Sequence, residues 1–192
     1  MTLTIRFDEA LAYAAELHRG QRRKASGVPY ISHLLAVTAT VIEHGGGEDE
    51  AIAALLHDAV EDQGGPATRE QIRLRFGERV AAIVDGCTDT DIVPKPPWQA
   101  RKTAFIETLR MANASVHLVV AADKLHNAGS TLADYRRLGD EVWDRFNGGR
   151  DGTLWYYRSA VDTLDKAPRT LIDLLRRVIS DLESEAGRGA EL

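Results

Sequence analysis

The sequence predicts an all-α fold, a single-domain helical bundle, and three observations lead to that prediction. Apolar residues recur mainly at spacings of three and four, the repeat of a helix with one buried face. Alternating apolar and polar residues bounded by turn pairs, which are typical of strands, form no series along the chain. The 192 residues, 44% of them hydrophobic, are enough for one domain with a substantial core.

Glycine and proline separate the predicted helices, because glycine favours helix ends and proline interrupts helical hydrogen bonding. The first three helices end at Gly20, at the glycine triplet 45–47 and at the Gly-Gly-Pro triplet 64–66. Thr68 and Gln71 resemble a capping box that opens the fourth helix. Helices are predicted at about 8–18, 30–44, 48–63, 68–76, 78–87, 98–114, 116–135, 153–165 and 168–183.

Two segments are predicted to be irregular. Residues 89–97 contain three prolines and precede a long helix, and residues 147–152 contain three glycines. The roles of the 89–97 loop and of the surrounding 146–157 segment stay open from sequence alone. Neither break has the length or composition of an interdomain linker, so residues 1–192 are predicted to form one domain.

The charge balance narrows the classes of partner. The chain carries 24 basic and 29 acidic side chains, a formal net charge of −5, whereas nucleic acid and anionic membranes bind to dense basic surfaces. We therefore expect a small-molecule partner, and neither nucleic acid nor a membrane. No apolar run approaches the roughly 20 residues of a membrane span. An anionic ligand would have to be held by a local basic cluster.

The single cysteine and the first residues of the chain indicate the cellular compartment of the protein. One cysteine, Cys87, excludes an internal disulfide framework and a cysteine-rich zinc site. The first residues lack the basic region and apolar run of a signal peptide. Both observations favour a cytoplasmic protein, and nothing in the sequence predicts its oligomeric state.

Four ionisable residues end an otherwise apolar helix. His57, Asp58, Glu61 and Asp62 follow the apolar run 51–56, and their helical spacing lets them line one cavity. Buried carboxylates without a cation cost several kcal/mol each, whereas a divalent metal compensates their charge directly. The alternative is a solvated helix end with a capping histidine, but the apolar run favours a buried metal site.

Two further polar stretches are uninformative alone but indicate a functional site when they are considered together with this cluster. Asp123 and Asn127 share a helical face after the apolar run 119–122, although such a pair alone is more typical of a surface hydrogen bond. The basic run 22–24 leads toward His33 and alone is typical of a solvated charge run. Its proximity to a histidine suggests a loop that binds phosphate.

Together, the stretches 20–33, 54–62 and 123–127 resemble those of the HD-domain phosphohydrolases, whose pattern is a histidine, a His-Asp pair and a distant aspartate around one divalent metal. The closer resemblance is to the hydrolase module of the RelA/SpoT proteins and to the stand-alone small alarmone hydrolases. It covers a motif core of about 11–132, with C-terminal helices at 139–185. It implies a helical bundle of the HD-domain type.

The resemblance implies a metal centre built from four residues. His33, His57, Asp58 and Asp123 match the family's metal ligands. A set of two imidazoles and two carboxylates suits Mn²⁺, with Fe²⁺ or Zn²⁺ also possible.

The resemblance also implies roles in catalysis and substrate binding. Glu61 and Asp62 would orient and deprotonate the attacking water or protonate the leaving group. Arg23 and Lys24 would contact the nucleotide, and Asn127 would position it near the metal.

The implied activity is that of a manganese-dependent guanosine-3′,5′-bis(diphosphate) 3′-pyrophosphohydrolase. Such an enzyme converts guanosine tetra- or pentaphosphate, the alarmones of the stringent response, to GDP or GTP and pyrophosphate. One alternative is another HD-type nucleotidase or phosphatase acting on a nucleotide or a phosphorylated dinucleotide. A second is a silent module that binds a nucleotide and regulates a partner, which the retained ligands and Glu61-Asp62 pair disfavour.

Structural roles are expected of the remaining histidines and of several other side chains. His18, His44 and His117 are expected at the surface or at helix ends, and His126 is expected to point away from Asp123. The other residues in this group are Cys87 and Tyr156 as packing residues, with purine stacking an alternative for Tyr156, and Arg101 and Lys102 as solvated cations.

Overall fold

The structure, a computed structural model, describes residues 2–24, 26–92 and 94–189 and confirms the all-α class. Within those residues there is no strand, only an isolated backbone bridge between Arg22 and Pro29. None of the described helices is both long and apolar enough to cross a membrane. The elements in order are α1 Ile5–Leu17, α2 Ile31–Glu43, α3 Glu48–Leu56, α4 Ala59–Asp62, α5 Gly65–Phe76, α6 Glu78–Cys87, α7 Trp98–Met111, α8 Ala114–Leu138, a 3-10 helix Gly139–Arg145, α9 Gly149–Thr163 and α10 Arg169–Gly189.

Helix α3 lies at the centre of the core. Its residues 51–56 are fully buried, and it packs against α1, α2, α6 and α8. Helix α8 also packs against α2, α6 and α10. A helix surrounded in this way cannot hold charged side chains without partners. The ionisable residues at the end of α3 therefore mark a site rather than a solvated terminus.

The start of α5 differs from its prediction. The helix begins at Gly65, three residues before the expected capping box. Gly64 and Gly65 have φ angles of +123° and +58°, a region that glycine adopts without strain. The chain turns directly into the helix there. Thr68 is buried in the first turn and donates from Oγ1 to the carbonyl of Gln63 at 2.6 Å, so the predicted capping box is wrong.

The predicted 147–152 loop is shorter than expected, because α9 already begins at Gly149. The ring of Trp98 lies directly against the backbone of Gly148, where an added Cβ would stand 2.6 Å from it. Glycine at this position allows α7 and α9 to pack closely. This packing places the 146–157 segment beside the helix that follows the 89–97 loop.

Candidate active site

The predicted third helix is interrupted at its His-Asp pair. Helix α3 ends at Leu56 and α4 begins at Ala59. His57 donates from Nδ1 to the carbonyl of Ala54 at 2.8 Å, an acceptor that an unbroken helix gives to the amide of residue 58. His57 and Asp58 thus form a corner between two helices, and the prediction of one continuous helix is wrong.

Four side chains converge at this corner. His33 reaches it from α2 and Asp123 from α8. The His33 Nε2 atom lies 3.5 Å from Asp58 Oδ2 and 3.2 Å from Asp123 Oδ1. The His57 Nε2 atom lies 3.0 Å and 3.7 Å from the same two oxygens. The structure thereby brings the two imidazoles and two carboxylates of the implied ligand set together.

This cluster has the properties of a cation site. The Nε2 atoms of His33 and His57 are buried and face the two carboxylates, but among the described residues neither makes a hydrogen bond of acceptable geometry. Such unpaired polar atoms are rare in protein interiors and call for an unseen ligand. His33, His57 and Asp58 offer ligand atoms that all lie within 4.8 Å of one another. Nitrogen and carboxylate oxygen donors bind divalent transition metals, so these residues fit a divalent metal.

The electrostatic field of the cluster favours positive charge. Burial opposes ionisation of Asp58 and Asp123, but His57 and Lys124 outweigh it, and the pKa of each carboxyl lies well below its usual range. Burial also disfavours charged His57, yet the two aspartates raise its pKa. The same field that attracts a proton attracts a metal ion.

Hydrogen bonds from outside the cluster fix both carboxylates. The Tyr30 hydroxyl donates to Asp58 Oδ2 at 2.6 Å, and burial together with Asp58 raises the pKa of Tyr30, which keeps it a donor. Lys124 donates to Asp123 Oδ2 at 2.6 Å, and Asn127 donates to Asp123 Oδ1. Contacts of this kind orient metal ligands and tune their basicity.

His126 contacts the cluster through His33, a contact that the sequence interpretation did not predict. Its Nδ1 atom is 2.8 Å from Nδ1 of His33, and the two ring centroids are 4.8 Å apart. Burial lowers the pKa of His126 to about 4, and the neighbouring His33 and Arg23 act in the same direction.

Two of the other three histidines are buried, and one of these, His18, is also the C-cap of α1, as the helix-end expectation allowed. His117 is fully buried, donates from Nε2 to the Leu109 carbonyl and accepts from the Lys166 amide at Nδ1. This pair of bonds ties α7 to the segment before α10. His44 ends α2 as expected, with Nδ1 donating to a carbonyl one turn back.

His18, the other buried histidine, helps to hold Asp62. It donates from Nδ1 to Gln21 Oε1 at 2.6 Å, and Gln21 donates from Nε2 to Asp62 Oδ2 at 2.8 Å. The His18 ring stacks on Tyr30 with centroids 5.3 Å apart. Burial and the charge of Asp58 raise the pKa of Asp62. Asp62 is therefore an oriented carboxylate with increased basicity.

Glu61 contacts a set of charged residues that the sequence interpretation missed. Lys95 donates to Glu61 at 2.8 Å, and Arg101 lies 3.8 Å from the same oxygen. Asp89 is almost fully buried and accepts from Arg101 at 2.7 Å and from Lys102 at 2.6 Å. The two cations are only 10% and 17% exposed, so the expectation that they are solvated is wrong.

The two carboxyls of this set differ in acidity. Burial and the nearby Asp89 charge raise the pKa of Glu61. Burial acts on Asp89 in the same direction, but Lys102 and Arg101 overcome it and lower the Asp89 pKa. Of the two groups, Glu61 is therefore the more readily protonated.

A cavity of about 690 Å³ opens beside the cluster. Asp58, Asp123, Glu61 and Asp62 all line it, whereas His33 and His57 are buried behind its wall. Among the described residues, eight cations and six carboxylates line it, a positive balance in a protein whose net charge is −5. The basic lining residues are Arg22, Arg23, Lys24, Lys95, Arg101, Lys102, Lys124 and Arg145.

The residues implied to bind substrate lie on this cavity. Arg23, Lys24 and Asn127 all line it, and Arg23 donates to Asn127 Oδ1 at 2.7 Å. The 89–97 loop and the 146–157 segment supply another part of the wall. Tyr156 packs in the core as expected, but its ring also faces the cavity, with the Lys102 and Lys124 ammonium groups 4.8 Å and 5.1 Å from its centroid.

A sequence profile described as an HD domain matches residues 10–154. This chain belongs to the HD-domain family. Its HD-domain relatives include the guanosine-3′,5′-bis(diphosphate) 3′-pyrophosphohydrolases of Xenopus tropicalis, 41% identical over 138 residues, and of Homo sapiens, 38% identical over 139 residues. Each alignment covers 70% of this chain and 72% of the relative.

Two solved structures resemble the fold described above. One is described as a metazoan ortholog of SpoT that hydrolyses ppGpp and plays a role in starvation responses. It superposes with a TM-score of 0.79 at 28% identity, covering 94% of this chain and 97% of the other. The second, from Listeria monocytogenes, has a TM-score of 0.68 at 30% identity, covering 82% of this chain and 99% of the other.

Proposed function

We propose that this protein is a metal-dependent hydrolase that removes the 3′-pyrophosphate from guanosine tetra- or pentaphosphate and releases GDP or GTP. The observation that carries the proposal is the convergence of two imidazoles and two carboxylates beside a cavity lined by basic side chains. Such a cavity complements a polyphosphate. The named activity of the relatives supports the choice of nucleotide.

We assign the metal to His33, His57, Asp58 and Asp123. Their donor set favours Mn²⁺ and is compatible with Fe²⁺ or Zn²⁺. When bound, a divalent cation supplies a Lewis acid that lowers the pKa of water and neutralises charge on the attacked phosphoryl group. The unpaired Nε2 atoms of both histidines support a ligating role rather than core packing.

The reaction needs two proton transfers, one from the attacking water and one to the leaving oxygen. Asp62 would accept the first proton and Glu61 would donate the second. Asp62 is held by Gln21, and its raised pKa suits it to accept a proton from the attacking water. Glu61 is the better placed of the two to act as the acid, because burial and Asp89 raise its pKa and so favour its protonated form. It would donate that proton to the ribose 3′-oxygen as the bond from that oxygen to phosphorus breaks.

Arg23, Lys24 and Asn127 position the nucleotide. Asn127 accepts from Arg23 and donates to Asp123, which links the substrate loop to the metal cluster. Lys24 lies exposed in the same loop and lines the cavity. Residues 1–192 would form one hydrolase domain with a small-molecule substrate, and the single cysteine supports a cytoplasmic location.

Product analysis tests the proposed reaction. Protein incubated with Mn²⁺ and guanosine tetraphosphate is expected to release GDP and pyrophosphate in equal amounts, resolved by anion-exchange chromatography. Protein stripped with a chelator is expected to release neither. Release of inorganic phosphate without pyrophosphate, or hydrolysis confined to a phosphorylated dinucleotide, would contradict the proposal.

Arg23→Ala is expected to weaken substrate binding while leaving turnover largely intact. Loss of a charge-assisted hydrogen bond costs about 1.5–3 kcal/mol, so KM should rise roughly 10- to 100-fold. Steady-state kinetics of pyrophosphate release measures both constants. Arg19→Ala is the matched control, because Arg19 is an exposed neighbour outside the cavity wall. A large fall in kcat at unchanged KM would contradict the assigned role.

A further inference from the structure

The two candidate histidine ligands differ in what lies behind them. His57 donates from Nδ1 to the backbone carbonyl of Ala54 at 2.8 Å, an acceptor that no side-chain substitution removes. His33 has Nδ1 only 2.8 Å from Nδ1 of His126. The position of one ligand is thus fixed by the backbone and that of the other by a second imidazole.

Metal binding determines which nitrogen atoms of this imidazole pair carry a proton. The Nε2 atom of His33 faces Asp58 and Asp123 at 3.5 Å and 3.2 Å, so it must be unprotonated to coordinate a metal. The remaining proton of neutral His33 then lies on Nδ1, which donates to His126. His126 must accept through Nδ1 and carry its own proton on Nε2, because a hydrogen bond needs one donor and one acceptor.

We propose that His126 is a positioning residue for the metal centre, whose unprotonated Nδ1 fixes both the tautomer and the ring orientation of His33. Its place on α8 supports this role, since His126 lies three residues after Asp123 and the two therefore share a helix face. Helix α8 thereby provides both a carboxylate of the cluster and the hydrogen-bond acceptor behind one of its imidazoles. The inference rests on the metal assignment of the proposed function, but it concerns metal affinity rather than the substrate.

Two substitutions of similar size, His126→Asn and His126→Leu, distinguish a hydrogen-bonding role of His126 from a packing role. In asparagine, Oδ1 is as many bonds from the backbone as histidine Nδ1, whereas leucine has a methyl group there. Removing such an outer hydrogen bond costs about 10- to 100-fold in metal affinity. By calorimetric titration with Mn²⁺ alone, His126→Leu is expected to bind metal 10- to 100-fold more weakly than the parent. His126→Asn is expected to stay within about 3-fold of the parent, since it restores the acceptor.

A spectroscopic measurement tests the tautomer directly. Two-bond proton–nitrogen spectra of the Zn²⁺-loaded parent are expected to show His126 protonated at Nε2 and unprotonated at Nδ1. His44→Leu is the control for loss of a histidine, because His44 lies at the end of α2 with a carbonyl of its own helix as partner. Its Mn²⁺ affinity should equal that of the parent.

Several outcomes would overturn the inference. These are parental Mn²⁺ affinity in His126→Leu, an equal loss in His126→Asn, or a protonated His126 Nδ1. A parent that releases no pyrophosphate from guanosine tetraphosphate, yet binds Mn²⁺ in a manner that depends on position 126, would refute the proposed substrate and leave the inference intact. A parent that binds no divalent metal would refute both.

Discussion

Asp58→Ala is expected to lose bound metal and hydrolytic activity together. The Asp58 Oδ2 atom lies 3.0 Å and 3.5 Å from the two imidazole nitrogens, so its removal deletes a negative charge at the centre of the cluster. A catalytic metal contributes several kcal/mol to the transition state, which corresponds to a rate loss of about 10³-fold or more. Elemental analysis of the purified variant and assays of pyrophosphate release measure the two losses.

Controls separate this effect from instability. The Tyr30 hydroxyl donates to Asp58, and leaving it unpaired costs about 1–3 kcal/mol of unfolding free energy. The double variant Tyr30→Phe/Asp58→Ala is expected to regain that stability without regaining metal. Asp181→Ala, on the exposed face of α10, should keep both metal and activity. Normal metal content with full activity in Asp58→Ala would refute the metal assignment.

The sequence predicted helix positions well where apolar periodicity and glycine agree. The glycines after α1 and α2 end those helices within a few residues of the predicted points. It failed at 57–58, because that break involves neither glycine nor proline. There the His57 side chain donates a hydrogen bond to the Ala54 carbonyl. Competition between a side chain and the backbone for one carbonyl leaves no periodic signal in the sequence.

The convergence of the metal cluster was predicted by the family resemblance, and the apolar runs before both acidic stretches agreed with it. Residues 53–56 and 119–122 are buried, which puts the acids that follow them beside the core, but the runs alone do not show that the two stretches meet. Helical spacing could also have placed His126 near the cluster, because a residue three positions after Asp123 lies on the same face of the helix. Asn127, four residues after Asp123, was recognised by the same rule.

The sequence could not predict that charged residues cluster around Glu61. Asp89 follows α6 in a loop, and Arg101 and Lys102 lie on a separate helix that begins with Trp98. Nothing local distinguishes these residues from solvated surface charges. Their burial depends on the packing of α7 against α9, which is long-range information that neither composition nor periodicity contains.

Glu61→Gln is expected to retain the metal and lose turnover. Glutamine keeps the size of the side chain but cannot supply an acidic proton, and general acid catalysis contributes about 10²- to 10⁴-fold. The value of kcat should fall by that factor, while KM and metal content stay near those of the parent. Elemental analysis and steady-state kinetics distinguish this result from that of Asp58→Ala. Glu9→Gln, at an exposed position on α1, is the matched control.

The pH profile gives the proposed acid a distinct signature. Burial and Asp89 raise the pKa of Glu61, and the protonated form is the active one, so parental kcat should be present below that pKa and fall as pH rises through it. The residual kcat of Glu61→Gln should lack this alkaline limb. Asp89→Asn removes a negative charge that raises the Glu61 pKa, and the limb should therefore move to lower pH. An unmoved limb in Asp89→Asn, or the same limb in Glu61→Gln, would assign the titration to another group and exclude Glu61 as the acid.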